Sequence, residues 1–157
     1  MLKRLFPTQV DNRFSGHRAA LWLLGLFVGL KLVMSINSML NTASIATGDG
    51  LPLDSYGPAA ARVVLMLFSL SALGQLALAA IALAVLIRYR AMVPFIFLVL
   101  LGEQLARRVI VQSYAVPRTE TGPVIWFLTF GLVGLLALGL VLSLLPARER
   151  PSIHAAA

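Results

Sequence analysis

Two ionisable residues lie inside long apolar stretches of this chain. Lys31 interrupts the segment LWLLGLFVGLKLVMS, and Glu103 interrupts FIFLVLLGEQL. A charged side chain is costly in apolar surroundings, so each residue is a candidate functional site and each needs a partner. A lysine and a carboxylate together suit three roles: an ion pair that joins helices, an anion site at the ammonium, or proton transfer through the carboxyl.

The positions of Lys31 and Glu103 within their segments are similar. Each residue lies about twelve positions after the start of its segment, which is roughly 18 Å along a helix. If both segments enter a membrane from the same side, the two charges lie at one depth. The sequence therefore predicts that Lys31 pairs with Glu103 across a helix bundle.

A polar stripe follows Lys31 along its own segment. Hydroxyl side chains recur at spacings of four, three and four residues, and these spacings place them on one face of a helix: Ser35, Ser38 and Thr42. Thr42 belongs to this face only if the helix continues past residue 39.

Glu103 has a residue of opposite charge one helical turn later. Arg107 follows it by four positions, in the order that favours an ion pair within a helix. Gln104 and Arg108 repeat this spacing on the adjacent face. Both arginines lie near the outer end of their segment, where a long side chain reaches the membrane interface without a partner. This second interpretation is the stronger one for Arg108.

A third apolar segment brings Gln75, with Ser71 one turn away, to a depth close to that of Glu103. The predicted intramembrane polar cluster therefore draws on three helices and comprises Lys31, Ser35, Gln75, Glu103, Arg107 and Arg108. One interpretation is a clamp that fixes the helix register. The other is a site for an anion or a proton, because the cluster has about two more positive charges than Glu103 compensates.

Four apolar segments are long enough to position these residues in a bilayer. A spanning helix needs about 20 mostly apolar residues, and the segments cover residues 19–39, 58–87, 91–114 and 123–145. Of the 157 residues 59% are hydrophobic and only 12% are charged, against about 25% charged in soluble domains. The sequence predicts an all-α, polytopic membrane protein: one membrane domain, residues 1–157, built as a four-transmembrane-helix bundle. Residues 40–57 are expected to form a non-helical loop.

The distribution of basic residues predicts the orientation of this bundle. Most lysines and arginines lie in an arm, residues 1–18, in the link at residues 88–90 and in a tail, residues 146–157. Cytoplasmic flanks of membrane helices are enriched in these residues. We therefore expect the cell (inner) membrane, with both termini cytoplasmic. Cleavage of the first segment as a signal peptide is disfavoured, because the arm is long and Lys31 interrupts the apolar stretch.

Several classes of chemistry lack the residues they need. The chain has no cysteine, so it has no thiolate ligand or thiol nucleophile. Its histidines, His17 and His154, fall in the arm and the tail, and no phosphate-binding loop or nucleophile elbow is present. We predict no catalytic residue, no cofactor and no metal site. The net charge of +7 is placed mainly at helix ends, which favours lipid headgroups over nucleic acid.

These observations favour a non-enzymatic membrane component or accessory subunit. The alternative is a small transporter or channel, or a binder of an anionic ligand or lipid, that uses the polar cluster. A membrane enzyme or redox subunit is the third possibility, and it lacks histidines, cysteines and paired acids in the spans. The expected partners are membrane lipids and a second copy or a larger membrane complex, since Gly25 and Gly29 form a helix-packing motif. No motif identifies a family.

Overall fold

The computed structural model describes residue 5, residues 11–114 and residues 123–145. Within these ranges the all-α prediction is confirmed, with no β-strand. The helices are α1 (Ala19–Leu40), α2 (Thr42–Gly48), α3 (Pro58–Arg88), α4 (Val93–Ser113) and α5 (Pro123–Leu144), with 3₁₀ turns at Leu53–Ser55 and Arg90–Met92. The expected tail 146–157 and most of the first ten residues of the arm lie outside the described residues.

The segment expected to be a non-helical loop contains a short helix, so that prediction was wrong in part. Asn41 ends α1 with φ −119° and ψ 41°, and its side-chain amide donates to the Asn37 side-chain oxygen at 2.8 Å. Asparagine favours such local side-chain bonds over continued helix. The chain then re-enters a helix as α2, where the Thr42 and Ser69 hydroxyls form a hydrogen bond of 2.9 Å to α3.

Two of the described helices, α1 with 22 residues and α3 with 31, are long and apolar enough to cross a membrane. Their outer faces carry large apolar side chains such as Trp22, which is 82% exposed, and Leu40, which is 78% exposed. Soluble proteins rarely expose extensive apolar surface. Length, composition and surface thus give weak but concordant support for membrane insertion.

The long helices run in alternating directions and pack side by side. α1 lies between α3 and α5, α4 packs on α5, and α4 contacts α3 more sparsely. The core between these helices includes the following large side chains that are at most 3% exposed: Leu24, Phe27 and Val28 of α1, Val93, Phe97 and Leu100 of α4, and Leu136 of α5.

A close approach between α4 and α5 depends on a glycine. Gly139 of α5 lies directly against the ring of Phe97, and a Cβ at this position would overlap that ring. Phe97 is 0% exposed, so its ring has no free space to enter. The absence of a side chain at Gly139 therefore sets the distance between the two helices.

The segment before α1 packs against one end of the bundle. The His17 backbone N–H donates to the Leu142 carbonyl at 3.1 Å, and the Ala91 N–H donates to the Asp11 carbonyl at 3.2 Å. Residues 11–18, the link between α3 and α4 and the end of α5 therefore lie together, at what we call the arm end. The opposite end, which holds residues 41–57, is the loop end.

Candidate functional site

Three of the helices are joined by a chain of polar side chains at mid-length. The Lys31 ammonium of α1 donates to the Gln75 Oε1 of α3 at 2.8 Å. The Gln75 Nε2 in turn donates to the Glu103 Oε1 of α4 at 2.6 Å. An ammonium only donates and a carboxylate only accepts, so the amide can satisfy both only in this orientation.

Lys31 and Glu103 therefore meet through Gln75, whereas the sequence analysis expected them to pair directly. The amide is long enough to separate the two charges, and it offers an acceptor to one and a donor to the other. All three residues are half-buried. Gln75 is thus the central member of the arrangement.

The carboxylate of Glu103 has its ion pair on its own helix. Arg107 donates to Glu103 Oε1 from Nε at 2.9 Å and from Nη2 at 2.9 Å. Its Nη1 donates to the Ser71 hydroxyl of α3 at 3.1 Å. We call these five residues (Lys31, Ser71, Gln75, Glu103 and Arg107) the network. The planar guanidinium group carries several N–H donors, so Arg107 alone bonds both the Glu103 carboxylate and Ser71 of α3.

A cavity of about 150 Å³ adjoins the network and lies between α1 and α3. Its polar lining consists of Lys31, Ser35, Ser38, Asp49, Ser71, Gln75 and Arg107. Of the predicted stripe, Ser35 and Ser38 face this cavity, while Thr42 bonds to Ser69 instead. An ammonium can donate three hydrogen bonds, and within the described residues Lys31 donates one. The ammonium also lies 5.8 Å from the centroid of the Phe27 ring. The cavity wall thus holds a cation that donates one hydrogen bond within the described residues.

Arg108 does not join the network. Its guanidinium carbon lies 5.3 Å from the centroid of the Phe130 ring on α5, within cation–π range. Consecutive residues on a helix are about 100° apart, so Arg107 and Arg108 face different neighbours. The structure therefore brings together five of the six predicted cluster residues around the network and its cavity, and it directs the sixth to α5.

Asp49 lines the cavity, and sequence reasoning did not include it in the cluster. The sequence shows only that it follows a polar stretch in a segment expected to be a loop. A loop residue has no helical periodicity that would fix its direction, so only the fold of residues 41–57 over α3 could place it.

The position of Asp49 changes the charge balance that the sequence suggested. Without Arg108, the cluster's positive charges are Lys31 and Arg107, and the negative charges beside them are Glu103 and Asp49. Two positive and two negative charges sum to zero. The wall of the cavity therefore carries side chains of both charges.

Gln104 is a second residue whose position the sequence did not reveal. It is 9% exposed, and its Nε2 has no hydrogen-bond partner among the described residues. It continues the buried face of α4 that includes Phe97 and Leu100. A buried amide without a partner is costly, so this position is a local weakness in the packing.

No family model, curated protein or solved structure matches this chain. Within the described ranges, no group of three His, Asp or Glu side chains is arranged to hold a metal ion. The network, the cavity and the apolar surface around them are therefore the features that indicate a function.

Proposed function

We propose that this chain is a polytopic protein of the cell (inner) membrane with four spans: α1, α3, α4 and α5. α4 and α5 have 21 and 22 residues, and about 20 are enough to span a bilayer. Two charges of α4, those of Glu103 and Arg107, are directed to the network. Intramembrane charges in a bundle are expected to face the interior in this way.

The proposed orientation places both termini in the cytoplasm. Arg13 and Arg18 precede α1, and Arg88 and Arg90 flank the link between α3 and α4, so all four lie at the arm end. The loop end holds Asp49. Lysine and arginine concentrate on the cytoplasmic side of membrane helices, which supports a cytoplasmic arm end.

Single cysteines test this topology, because the chain contains none of its own. We expect a membrane-impermeant maleimide to label Ser55→Cys and Thr119→Cys in spheroplasts. Ser15→Cys, Arg88→Cys and Ser152→Cys should react only after lysis. Labelling of Ser55→Cys without labelling of Thr119→Cys would contradict four spans and favour two. If instead Ser15→Cys, Arg88→Cys and Ser152→Cys react in spheroplasts and the other two react only after lysis, the proposed orientation is contradicted.

Within this architecture the protein acts as a non-enzymatic membrane component, in which the network clamps α1, α3 and α4 in register. The observation that supports this is the continuous chain of bonds from Lys31 through Gln75 to Glu103 and Arg107. Lipid gives helices no hydrophobic drive to associate, so van der Waals packing and polar bonds hold them together. A protein of this kind acts as an accessory subunit or as a homo-oligomer.

Paired methionine substitutions test the clamp. Glu103→Met and Arg107→Met should each lower the yield of folded protein in mild detergent, because each leaves a charge without its partner. The double substitution should restore most of that yield. Lys31→Met with Glu103→Met should restore less, since Gln75 separates these residues. Additive losses in the Glu103 and Arg107 pair would contradict a clamp.

A second candidate function is binding of a small anionic solute in the cavity, either for retention or for transport. It is favoured by one observation: the Lys31 ammonium lines a cavity of about 150 Å³ and still has donors to offer. The serine hydroxyls of Ser35 and Ser38 stand beside it.

Native mass spectrometry from mild detergent separates the two candidates and reports the number of subunits as well. If the cavity binds an anion, the wild type and Arg88→Gln should retain a small anionic adduct that Lys31→Met loses. Arg88 serves as the control because it is exposed and does not line this cavity. The same adducts in all three proteins, or none in any, would exclude this candidate.

A further inference from the structure

A second concave surface lies between α1 and α3, at the arm end and away from the network. It is a groove of about 520 Å³. The residues that line it are Arg18, Leu21, Trp22, Gly25, Leu86 and Arg90. Its wall is largely apolar, and both charged residues are arginines.

The polar and apolar residues of this groove are ordered along the helix axis. Arg18 immediately precedes α1, and Arg90 follows the end of α3. Leu21, Gly25 and Leu86 lie deeper, within the first turns of α1 and the last turn of α3. The groove therefore presents positive charge at the end of the bundle and apolar surface towards its middle.

Local structure keeps the groove open and its arginines available. Because Gly25 has no side chain, there is room beside Leu86. A Cβ at Gly25 would lie 3.6 Å from the Leu86 Cδ2. The Arg90 Nε donates to the Leu86 carbonyl at 3.0 Å. Within the described residues the terminal nitrogens of Arg90 make no hydrogen bond. The side chain of Arg18 has no hydrogen-bond or ion-pair partner in the described part of the chain.

We propose that this groove binds one anionic phospholipid, with its phosphate between Arg18 and Arg90 and one acyl chain along Leu21, Gly25 and Leu86. The order of charge and apolar surface in the groove matches the order of headgroup and chain in a lipid. Guanidinium groups match phosphate oxygens in geometry. Trp22, at the rim, is of the residue type that concentrates at the membrane interface.

This proposal depends on the proposed membrane insertion and on a cytoplasmic arm end, where anionic lipids attract basic side chains. It differs from general attraction of the arm end to a charged membrane surface. The arginines of the groove should matter more than Arg13 and Arg88, which are exposed at the same end and lie outside the groove.

Tryptophan quenching by brominated lipids tests the site directly. The chain has two tryptophans, so Trp126→Phe leaves Trp22 as the single reporter in the rim of the groove. The full chain is reconstituted in vesicles that contain brominated phosphatidylglycerol or brominated phosphatidylcholine in a non-brominated background. We expect phosphatidylglycerol to quench Trp22 with about thirtyfold higher apparent affinity, since each of the two arginines should contribute about fivefold.

Two variants and a matched control locate the effect. Arg18→Gln with Arg90→Gln should abolish the preference, and so should Gly25→Leu, which fills the groove and keeps both charges. Arg13→Gln with Arg88→Gln removes the same charge from the same end and should leave the preference unchanged.

Each other outcome has a distinct meaning. Equal quenching by the two lipids in the Trp126→Phe protein would overturn the lipid site while leaving membrane insertion intact. An equal loss of preference in the matched control would also overturn it, because the effect would then be general surface attraction. If neither lipid quenches a protein that the cysteine labels show to be inserted, a second copy covers the groove and the proposal fails. If neither lipid quenches and the labels show no insertion, the proposed membrane architecture fails first.

Discussion

The helices are held together by different interactions in the two halves of the bundle. In the half towards the arm end, Leu24, Phe97 and Leu136 are at most 3% exposed, and Gly139 admits the Phe97 ring. From mid-length towards the loop end, the network joins the helices and leaves a cavity of about 150 Å³. The apolar half thus depends on shape, and the polar half depends on paired donors and acceptors.

This difference shows why a helix bundle places its costly residues together. Close packing fixes the separation of α1, α4 and α5 in the apolar half. The polar half can then keep half-buried charges at a fixed distance, since the helices that carry them are already held. A looser half beside a rigid one is also where a cavity can persist.

The substitution with the largest expected effect on stability disrupts helix packing at one position of the apolar half. Gly139→Ala should destabilise the protein by about 3 kcal/mol, because the new Cβ overlaps the buried Phe97 ring. Gly134→Ala on the same helix is the control, since a Cβ there meets nothing within 4 Å. Alanine favours helix over glycine by about 1 kcal/mol, so the control should be neutral or stabilising. Unfolding in mixed micelles with increasing SDS measures both free energies, and equal values would contradict the shape argument.

The substitution with the next largest effect on stability removes the residue at the centre of the polar half. Gln75→Leu keeps a similar volume and removes the bridge between Lys31 and Glu103. The cost should be about 1.5 kcal/mol, the lower range for hydrogen bonds to charged groups, because the site is only half-buried. The same SDS titration measures it. No loss of stability on Gln75→Leu would mean that the bridge does not hold the helices.

A stabilising substitution tests to which half the residue at the boundary, Gln104, belongs. Gln104 lies at the end of the buried face of α4, and its Nε2 lacks a partner. Gln104→Leu should raise the free energy of unfolding by about 1 kcal/mol, because it removes an unsatisfied buried amide. A loss of stability instead would show that Gln104 is bonded in the membrane, for example to water, and belongs to the polar half.

The smallest effect concerns a neutral hydrogen bond outside the network. Ser69→Ala removes the partner of Thr42 and should cost about 0.6 kcal/mol, the average for such bonds in membrane proteins. Ser71→Ala is the comparison, because Ser71 accepts from the charged Arg107. If both substitutions lower the free energy of unfolding by the same amount in the SDS titration, the charge of Arg107 does not strengthen its hydrogen bond to Ser71.

Much of the fold could be predicted from residue order alone. The four long helices begin and end within two residues of the apolar segments expected from sequence, since apolar runs bounded by Pro, Gly and charge define helix ends. The short helix α2 was not predicted, because the sequence between Asn41 and Gly50 is too short and too polar to show helical periodicity.

The candidate site could be predicted in part, and the reason differs from residue to residue. Lys31, Gln75 and Glu103 could be placed at one depth because depth follows from position along a helix. The contact partners could not be predicted, because they depend on how each helix is rotated about its axis. That rotation made Gln75 the bridge and turned Arg108 to Phe130. The fold of residues 41–57 brought Asp49 to the cavity.

The sequence by itself determined the all-α class, the apolar segments and the depth of the ionisable residues, since each follows from local composition and from a fixed rise per residue. Only the tertiary structure decided which charges meet, that a cavity lies beside the network and that a groove with two arginines opens between α1 and α3. These features arise from contacts between helices far apart in the chain, where side-chain volumes and helix rotations act together.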